Sequence, residues 1–404
     1  MSVTTTPVPP DLDEVARHLA EDHLATPPGH PDELTDERFE RLEDRLAADE
    51  ERRSWSELGV FICVVALLAV LATAAAVLLT REDHSPAAAA ATSAPVAVAA
   101  QDTQAAAAAA PADLKVESYK RPDPTLPAVP AGPVKKFKIQ VYEHVTKVSD
   151  KLPATTVWSY SVNGVSHRGT GVSTPMVVEQ GDKVAIELVN KTDKDFTVDF
   201  PHSIDFHSAE VAPEEDYSTI GPGRTKQFDF TAKHPGVFMY HCATDPVLMH
   251  TGAGMVGAMI VKPRDLAPVD HELWINQQEY YLGATAGAQP DMAKMLEEKP
   301  DAITFNGYAN QYKKAPIEVG TGDSVRMFVM NAGPSIWSAF HVIGTVFDKT
   351  MIEGVAGEHA QTVNLAPSQG GWVEFTLDKP GAYPFVNHSF AAMTKGAAGA
   401  LVAK

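Results

Sequence analysis

The sequence predicts an all-β protein of two tandem Greek-key β-barrel domains, preceded by one transmembrane helix and a disordered Ala/Pro-rich linker. Three observations predict it. From about residue 134 to the end, short runs rich in β-branched and aromatic residues recur between turn signals. The two halves of that region echo each other. Gln180-Gly181-Asp182-Lys183-Val184 is matched by Thr321-Gly322-Asp323-Ser324-Val325, and the stretch His234 to His241 is matched by Lys379 to His388, each opening on Pro-Gly. Ahead of them stands a long uncharged run followed by low-complexity text.

The chain has 404 residues, 44% of them hydrophobic, ample for two ordinary domains once the unfolded-looking regions are set aside. Its formal net charge of −19 argues against a nucleic-acid partner, because there is no basic surface to neutralise phosphates. Much of that acidity lies in residues 1–57, in text such as Asp32-Glu33, Asp36-Glu37 and Asp49-Glu50-Glu51, which reads as a solvated, partly disordered cytoplasmic tail. Residues 58–80, Leu58 to Thr80, carry no charge for about 23 residues, enough to cross a hydrocarbon core of roughly 30 Å as a helix. Arg52 and Arg53 precede the run, whereas Arg81 is followed at once by Glu82 and Asp83, a bias that leaves the N-terminus in the cytoplasm. A cleaved secretory signal is the competing reading, and Arg52-Arg53-Ser54-Trp55 faintly resembles a twin-arginine signal; the apolar run is, however, longer than the usual 7 to 15 or so residues. The expectation is a single-pass protein of the cell membrane with its catalytic domains outside the cytoplasm. Residues 81–133 form the Ala/Pro-rich linker, which cannot bury a core and reads as a semi-extended spacer.

The first domain is placed at 134–265, with strands expected at Phe137 to Tyr142, Val157 to Val162, Lys183 to Val189, Thr197 to Phe200, Gln227 to Thr231, Val237 to Tyr240 and Gly257 to Val261. The second is placed at 266–404. Its strands are expected at Leu273 to Asn276, Ile303 to Asn306, Ile317 to Val319, Val325 to Asn331, Phe340 to Ile343, Gln361 to Leu365, Gly371 to Leu377, Ala382 to Val386 and Gly399 to Val402.

The chemistry centres on the stretch from His202 to Met255. The chain has two cysteines, Cys63 in the membrane run and Cys242 in the exported part, so an intramolecular disulfide is not expected. A lone cysteine in an oxidising compartment needs something on its sulfur. Cys242, His250 and Met255 supply the thiolate, one imidazole and the thioether of a blue copper centre, whose second imidazole must come from farther up the chain. The run from His202 to His207 supplies it. On a strand, positions an odd number apart face apart, so His202 and His207 diverge, Asp205 shares a face with His207, and His241 diverges from Cys242. Two strands thus each send one ligand to a thiolate copper and one imidazole outward to a second metal.

Four blocks in order resemble the copper-containing nitrite reductases, over about Val157 to Ala403: Pro201 to His207; Tyr240-His241-Cys242-Ala243 with His250 and Met255; Phe340 to Gly344 with Phe347-Asp348-Lys349; and Val386-Asn387-His388-Ser389. The interval from Cys242 to His250 is similar to that of the shorter-loop members. The resemblance implies two cupredoxin-like domains within the multicopper oxidase fold, and a homotrimer. It implies type 1 copper on His202, Cys242, His250 and Met255. It also implies type 2 copper on His207, His241 and His388, the last from the second domain of a neighbouring subunit. Asp205 would handle protons, His341 would complete a relay and Ile343 would shape the pocket. Nitrite would be the substrate, and a small cytochrome c or cupredoxin the electron donor.

Two other functions compete. A laccase-like two-domain oxidase needs several His-Xaa-His pairs for a trinuclear cluster, and the chain has none. A non-catalytic cupredoxin electron carrier needs only one copper, fewer imidazoles than stand here. His144, His167, His234, His271 and His359 fit no ligand pattern and read as surface or loop residues. Trp158, Trp274, Trp337 and Trp372 read as core fillers.

Overall fold

The computed structural model describes residues 114–167, 169–193 and 197–404, all in the unit that runs from Gln101 to Lys404. The expected cytoplasmic tail, the membrane run and the first part of the linker lie outside the described residues. Among the described residues no helix is long and apolar enough to cross a membrane.

What is described is mostly β. The first half holds β1 (Val116–Glu117), β2 (Val134–Thr146), β3 (Thr155–Val162), β4 (Met176–Glu179), β5 (Lys183–Asn190), β6 (Asp205–Phe206), β7 (Arg224–Thr231), β8 (Gly236–His241) and β9 (Val256–Lys262). Two short helices interrupt it, α1 (Pro213–Asp216) and α2 (Val247–Gly252). The second half holds β10 (His271–Tyr280), β11 (Ala302–Phe305), β12 (Ile317–Val319), β13 (Ser324–Asn331), β14 (Ser338–Val342), β15 (Phe347–Ile352), β16 (Val355–Ala360), β17 (Val363–Leu365), β18 (Gly370–Thr376), β19 (Gly381–Asn387) and β20 (Ala398–Ala403). Its helices are α3 (Met292–Leu296), α4 (Gln311–Lys314) and α5 (Phe390–Thr394).

Four sheets result. One runs β1-β2-β5-β7 with β3 paired to β2, the second β4-β9-β8-β6, the third β11-β10-β13-β18-β15-β16 and the fourth β12-β20-β19-β14-β17. The first two close over one core that includes Ile139, Tyr160, Ile186, Phe206, Tyr240 and Met259. The last two close over another that includes Ile275, Phe305, Met327, Phe340, Phe385 and Leu401. This pair of sandwiches is consistent with two cupredoxin-like domains.

A third apolar cluster joins them. Val237, Met239, Ala258 and Ile260, from the outer face of the second sheet, pack on Trp274, Phe328, Met330 and Trp372 from the outer face of the third. The two middle sheets are therefore buried on both faces, which is why β8 and β9 read as nearly continuous apolar runs rather than alternating ones. Along β8 the alternation still sorts the side chains: Val237 and Met239 face the second domain, while Tyr240 joins the inner core of the first.

Several expectations need correction. Thr197 to Phe200 is not a strand; Thr197 makes only an isolated bridge to Glu143. The β15–β16 hairpin escaped notice because β16 is largely exposed and its short side chains show no alternating apolar face to mark it. The linker was expected to run structureless to Pro133, yet β1 pairs in parallel with β2. Farther along the linker, the Leu126 N–H donates to the Glu272 carbonyl at 2.9 Å and Trp274 Nε1–H to the Asp123 carbonyl at 3.0 Å. Proline-rich chain needs no partner strand, but its free carbonyls are good acceptors along a sheet edge. His144 sits within β2 with both ring nitrogens shielded from solvent, and so is not a surface or loop residue. Trp337 is 62% exposed and fills no core.

Candidate metal centres

Cys242 follows the last residue of β8 and continues that strand's inward phase, so its thiol enters the first core and is fully buried. The loop that follows folds back through α2, and the Cys242 N–H donates to the Met255 carbonyl at 3.1 Å. Gly254 permits the return. Its φ is +117°, and a side-chain carbon there would stand 2.7 Å from the Trp158 carbonyl oxygen. His250 and Met255 are thereby brought into the same buried region as Cys242. His202 comes from the other side, held by reciprocal backbone hydrogen bonds with Ile220 at 3.0 and 2.9 Å.

Three donor atoms converge. Cys242 Sγ lies 3.3 Å from His250 Nδ1 and 3.9 Å from His202 Nδ1, and the two ring nitrogens are 3.1 Å apart. The Ser203 N–H points at the sulfur from 3.4 Å. Glu143 Oε1 lies 3.2 Å from His202 Nε2 and fixes that ring from behind. The edge of Trp158 closes the pocket, its centroid 4.9 Å from that of His250 and 5.4 Å from that of His202. Burial by itself would push the Cys242 thiol up, but the imidazoles of His202 and His250 hold it well below its ordinary value. For His202, burial works to lower the imidazole, and its contacts with Cys242 and Glu143 leave it raised. A thiolate and two Nδ1 lone pairs packed this closely in a dry pocket repel one another unless a cation lies among them. That donor set is consistent with a type 1 copper site.

The second cluster stands on the opposite face of the same strand. His241 and His207 approach with Nε2 atoms 3.2 Å apart, and Asp205 Oδ2 lies 3.8 Å from His241 Nε2. β6 pairs with β8 so that Asp205 is opposite His241, and the His207 N–H donates to the Met239 carbonyl at 3.0 Å. His241 Nδ1 lies 2.9 Å from the Cys242 carbonyl oxygen. A carbonyl only accepts, so Nδ1 carries the proton and Nε2 presents its lone pair to the cluster. The His207 imidazole is lowered, by desolvation first and by repulsion from His241 second, with Asp205 opposing. Neutral imidazoles are what a cation requires.

The remaining named residues lie on the second domain. His388 follows β19, is exposed, and stacks obliquely on His341 and Phe390, with centroids 5.6 and 5.0 Å away. His341 Nδ1–H donates to the Gln361 carbonyl. Ile343 is 43% exposed and two residues beyond His341. Within one chain, the group of Asp205, His207 and His241 does not include His388. Sequence reasoning missed Glu143, and gave Ser203 and Trp158 no role at the site. The one legible signal was the phase of Glu143, a carboxylate on the same inward-facing side of β2 as Phe137, Ile139 and Val141.

Three comparisons bear on the chain. A family model described as multicopper oxidase matches residues 149–266. A copper-containing nitrite reductase of Neisseria meningitidis serogroup A is 40% identical over 234 residues, 55% of this chain and 60% of that protein, so the chain spans less than two thirds of this relative's length. Among solved structures, a copper nitrite reductase from Nitrosomonas europaea superposes with a TM-score of 0.60 at 27% identity, over 67% of this chain and 94% of that one. Another, from Thermus scotoductus, superposes with a TM-score of 0.58 at 29% identity, over 67% and 61%.

Proposed function

We propose that this protein reduces nitrite to nitric oxide by one electron, with two coppers per chain, drawing on a small electron-donor protein such as a cytochrome c or a cupredoxin. One observation carries the reading. His241 and Cys242 are adjacent in the chain yet belong to two different metal-type clusters, so one peptide link joins a buried redox site to a site open to small anions. An electron carrier has no use for the second cluster, and a laccase-like oxidase needs more imidazoles than it has.

In this reading His202, Cys242, His250 and Met255 hold type 1 copper, and His207, His241 and His388 hold type 2 copper. Copper so bound would supply the electron transfer and polarise a nitrite oxygen; the balance is nitrite plus one electron and two protons, giving nitric oxide and water. Asp205, beside His241 and 27% exposed at its side chain, exchanges protons with solvent and passes them to the departing oxygen. His341, anchored at Nδ1 by Gln361, turns its other nitrogen outward as the second proton group. Ile343 presents an apolar surface that limits the room above the anion.

His388 must then reach the His207–His241 pair of another copy, which makes the active unit an oligomer with its catalytic site at each seam, and the resemblance to copper-containing nitrite reductases implies that this oligomer is a homotrimer. The exposed Trp337, Ile343, Val346 and Phe390, in the segments that carry His341 and His388, supply the apolar surface that such a seam would cover. The N-terminal run would anchor the trimer to the outside of the cell membrane. Copper content and anaerobic turnover with nitrite and a reduced dye test the proposal. Two coppers per chain and nitric oxide release are expected, with Asp205→Asn slower by about 100-fold or more and its thiolate absorption unchanged. One copper per chain, or unchanged release by Asp205→Asn, refutes it.

A further inference from the structure

The two domains share one hydrogen-bonded frame, and only the first has metal-type ligands in it. Asn190 at the end of β5 donates from Nδ2 to the carbonyls of Phe200 and Ile220, at 3.2 and 2.8 Å. Asn331 at the end of β13 donates likewise to Ile336 and Leu365, at 2.9 and 3.0 Å. Glu143 Oε1 accepts from the N–H groups of Asp199 and Phe200, at 3.0 and 3.2 Å, and Glu279 Oε1 from those of Ser335 and Ile336, at 3.0 and 2.6 Å. The ligand loop repeats too. The Cys242 N–H donates to Met255, and the Met255 N–H to His250, both at 3.1 Å; the Asn387 N–H donates to Ala397 at 3.1 Å, and the Ala397 N–H to Ala392 at 3.2 Å. Gly254 and Gly396, with φ of +117° and +122°, precede the returning strands.

This register puts Ser338 where His202 stands, Asn387 where Cys242 stands, Ala392 where His250 stands and Ala397 where Met255 stands. Even the thiolate's backbone donor is kept: the Ser203 N–H that points at Cys242 Sγ becomes the Ala339 N–H, which donates to Asn387 Oδ1 at 3.1 Å. An amide here can do what a thiolate cannot. Oδ1 also accepts from the Ser389 N–H at 3.0 Å, and Nδ2 donates to Gln277 Oε1 and to the Trp337 carbonyl, both at 2.9 Å. All four of its hydrogen-bonding positions are filled, in a residue that is fully buried.

We infer that Asn387, standing at the second domain's counterpart of the thiolate position, is a positioning residue that sets His388 against His341 before any metal arrives. His388 lies between Asn387 and Ser389 and donates its own N–H to Ala339 at 2.7 Å, so one amide ties down both neighbours of that bond. Ala339 is two residues before His341 on β14, and β14 pairs with β19 so that His341 is opposite Val386. Gln277 holds the amide from below and is itself held, donating from Nε2 to Asn331 Oδ1 at 3.0 Å. In the first domain the corresponding position binds a metal; in the second it fixes a ligand for one. The inference rests on reading His388 as a type 2 copper ligand.

The test compares Asn387→Leu, similar in size but without polar atoms, with Asn387→Asp, which keeps an oxygen for Ala339 and Ser389, in the copper-loaded full chain. Asn387→Leu is expected to weaken the second copper about 10- to 100-fold in chelator competition and to change its electron paramagnetic resonance pattern, with the thiolate absorption unmoved. Asn387→Asp should recover most of that affinity. In the metal-free protein the amide hydrogens of Ala339 and Ser389 should exchange faster in Asn387→Leu than in Asn387→Asp. A folded Asn387→Leu with unchanged second-copper affinity and resonance overturns the inference. If that variant does not fold, Gln277→Met decides, since it removes only one partner of Nδ2: a smaller loss confined to the second copper supports the inference, and no change overturns it. A wild-type chain that binds only the thiolate copper would instead overturn the reading of His388 as a ligand, and this inference with it.

Discussion

Producing a His207→Ala chain together with a His388→Ala chain separates a metal shared between protomers from one held within a chain. His207 belongs to the first domain and stands against His241, whereas His388 belongs to the second and stands against His341 and Phe390. Each variant alone lacks one imidazole at every second-metal site, so each alone should be inactive with nitrite. If the proposed trimer forms, a site in a mixed assembly needs an intact His207 from one chain and an intact His388 from its neighbour. With the two chains mixed one to one, each condition is met half the time, so about one quarter of the sites are complete. The mixed protein should therefore show about a quarter of wild-type nitrite turnover and about a quarter of its second-copper resonance signal per chain. Both substitutions fall on exposed side chains away from the thiolate pocket, and an unchanged thiolate absorption in all samples verifies folding. If His388 reached its own chain's His207, no chain in the mixture would carry a complete site, and activity would stay at the level of the single variants. That result, beside an active wild type, refutes the shared-site reasoning.

Two further outcomes follow from geometry elsewhere. Gly254→Ala places a carbon 2.7 Å from the Trp158 carbonyl at a backbone conformation that alanine resists, at a cost of about 1 to 3 kcal/mol, and should shift or weaken the thiolate absorption because His250 and Met255 ride on that loop. His167, whose ring packs near Trp274, is lowered from 6.5 to about 4, by burial first and by Lys120 second. The folded state therefore binds fewer protons than the unfolded state between those values. The stability contributed is complete above pH 6.5 and is lost as pH falls toward 4, up to roughly 3 kcal/mol. Denaturant midpoints measured from pH 7 to 4 should fall less steeply in His167→Phe than in the wild type.

Much of this was legible in the sequence, and what was not has physical reasons. Alternation along β8 is a local property, so the divergence of His241 from Cys242 could be read without coordinates; His202 to His207 is not the continuous strand that was expected, since β6 covers only Asp205–Phe206, yet His202 still joins Cys242 and His207 joins His241. The Gly-Asp turns were legible for the same reason: Asp182 Oδ2 accepts from the Glu179 N–H and Asp323 Oδ2 from the Gly320 N–H, at 2.9 and 2.8 Å, each within a few residues. Long-range pairings left no such trace. Nothing near Glu143 announces that its carboxylate will meet His202, and nothing in Asp123 or Leu126 announces that the linker will lie along β10. The apolar runs of β8 and β9 marked strands, but only the packing against Trp274 and Trp372 explains why they are apolar on both faces.

That double burial also bears on how the two clusters are coupled. A strand covered on one face only would present one of its two ligand-bearing sides to bulk water, where an imidazole is free to rotate and to take up protons. Here the face carrying His241 is covered by the second domain along Val237 and Met239, and the cluster lies where that cover ends. His241 Nδ1–H is committed to the carbonyl of the next residue, so the ring that faces the second cluster is oriented by the peptide group of the cysteine in the first. The thiolate and the second cluster are thus linked through one hydrogen bond and one peptide group. The second domain, with its own ligand positions filled by Ser338, Asn387, Ala392 and Ala397, is free to act as that cover and to carry His388 just past the end of β19, where Asn387 Oδ1 accepts from Ala339 and Ser389.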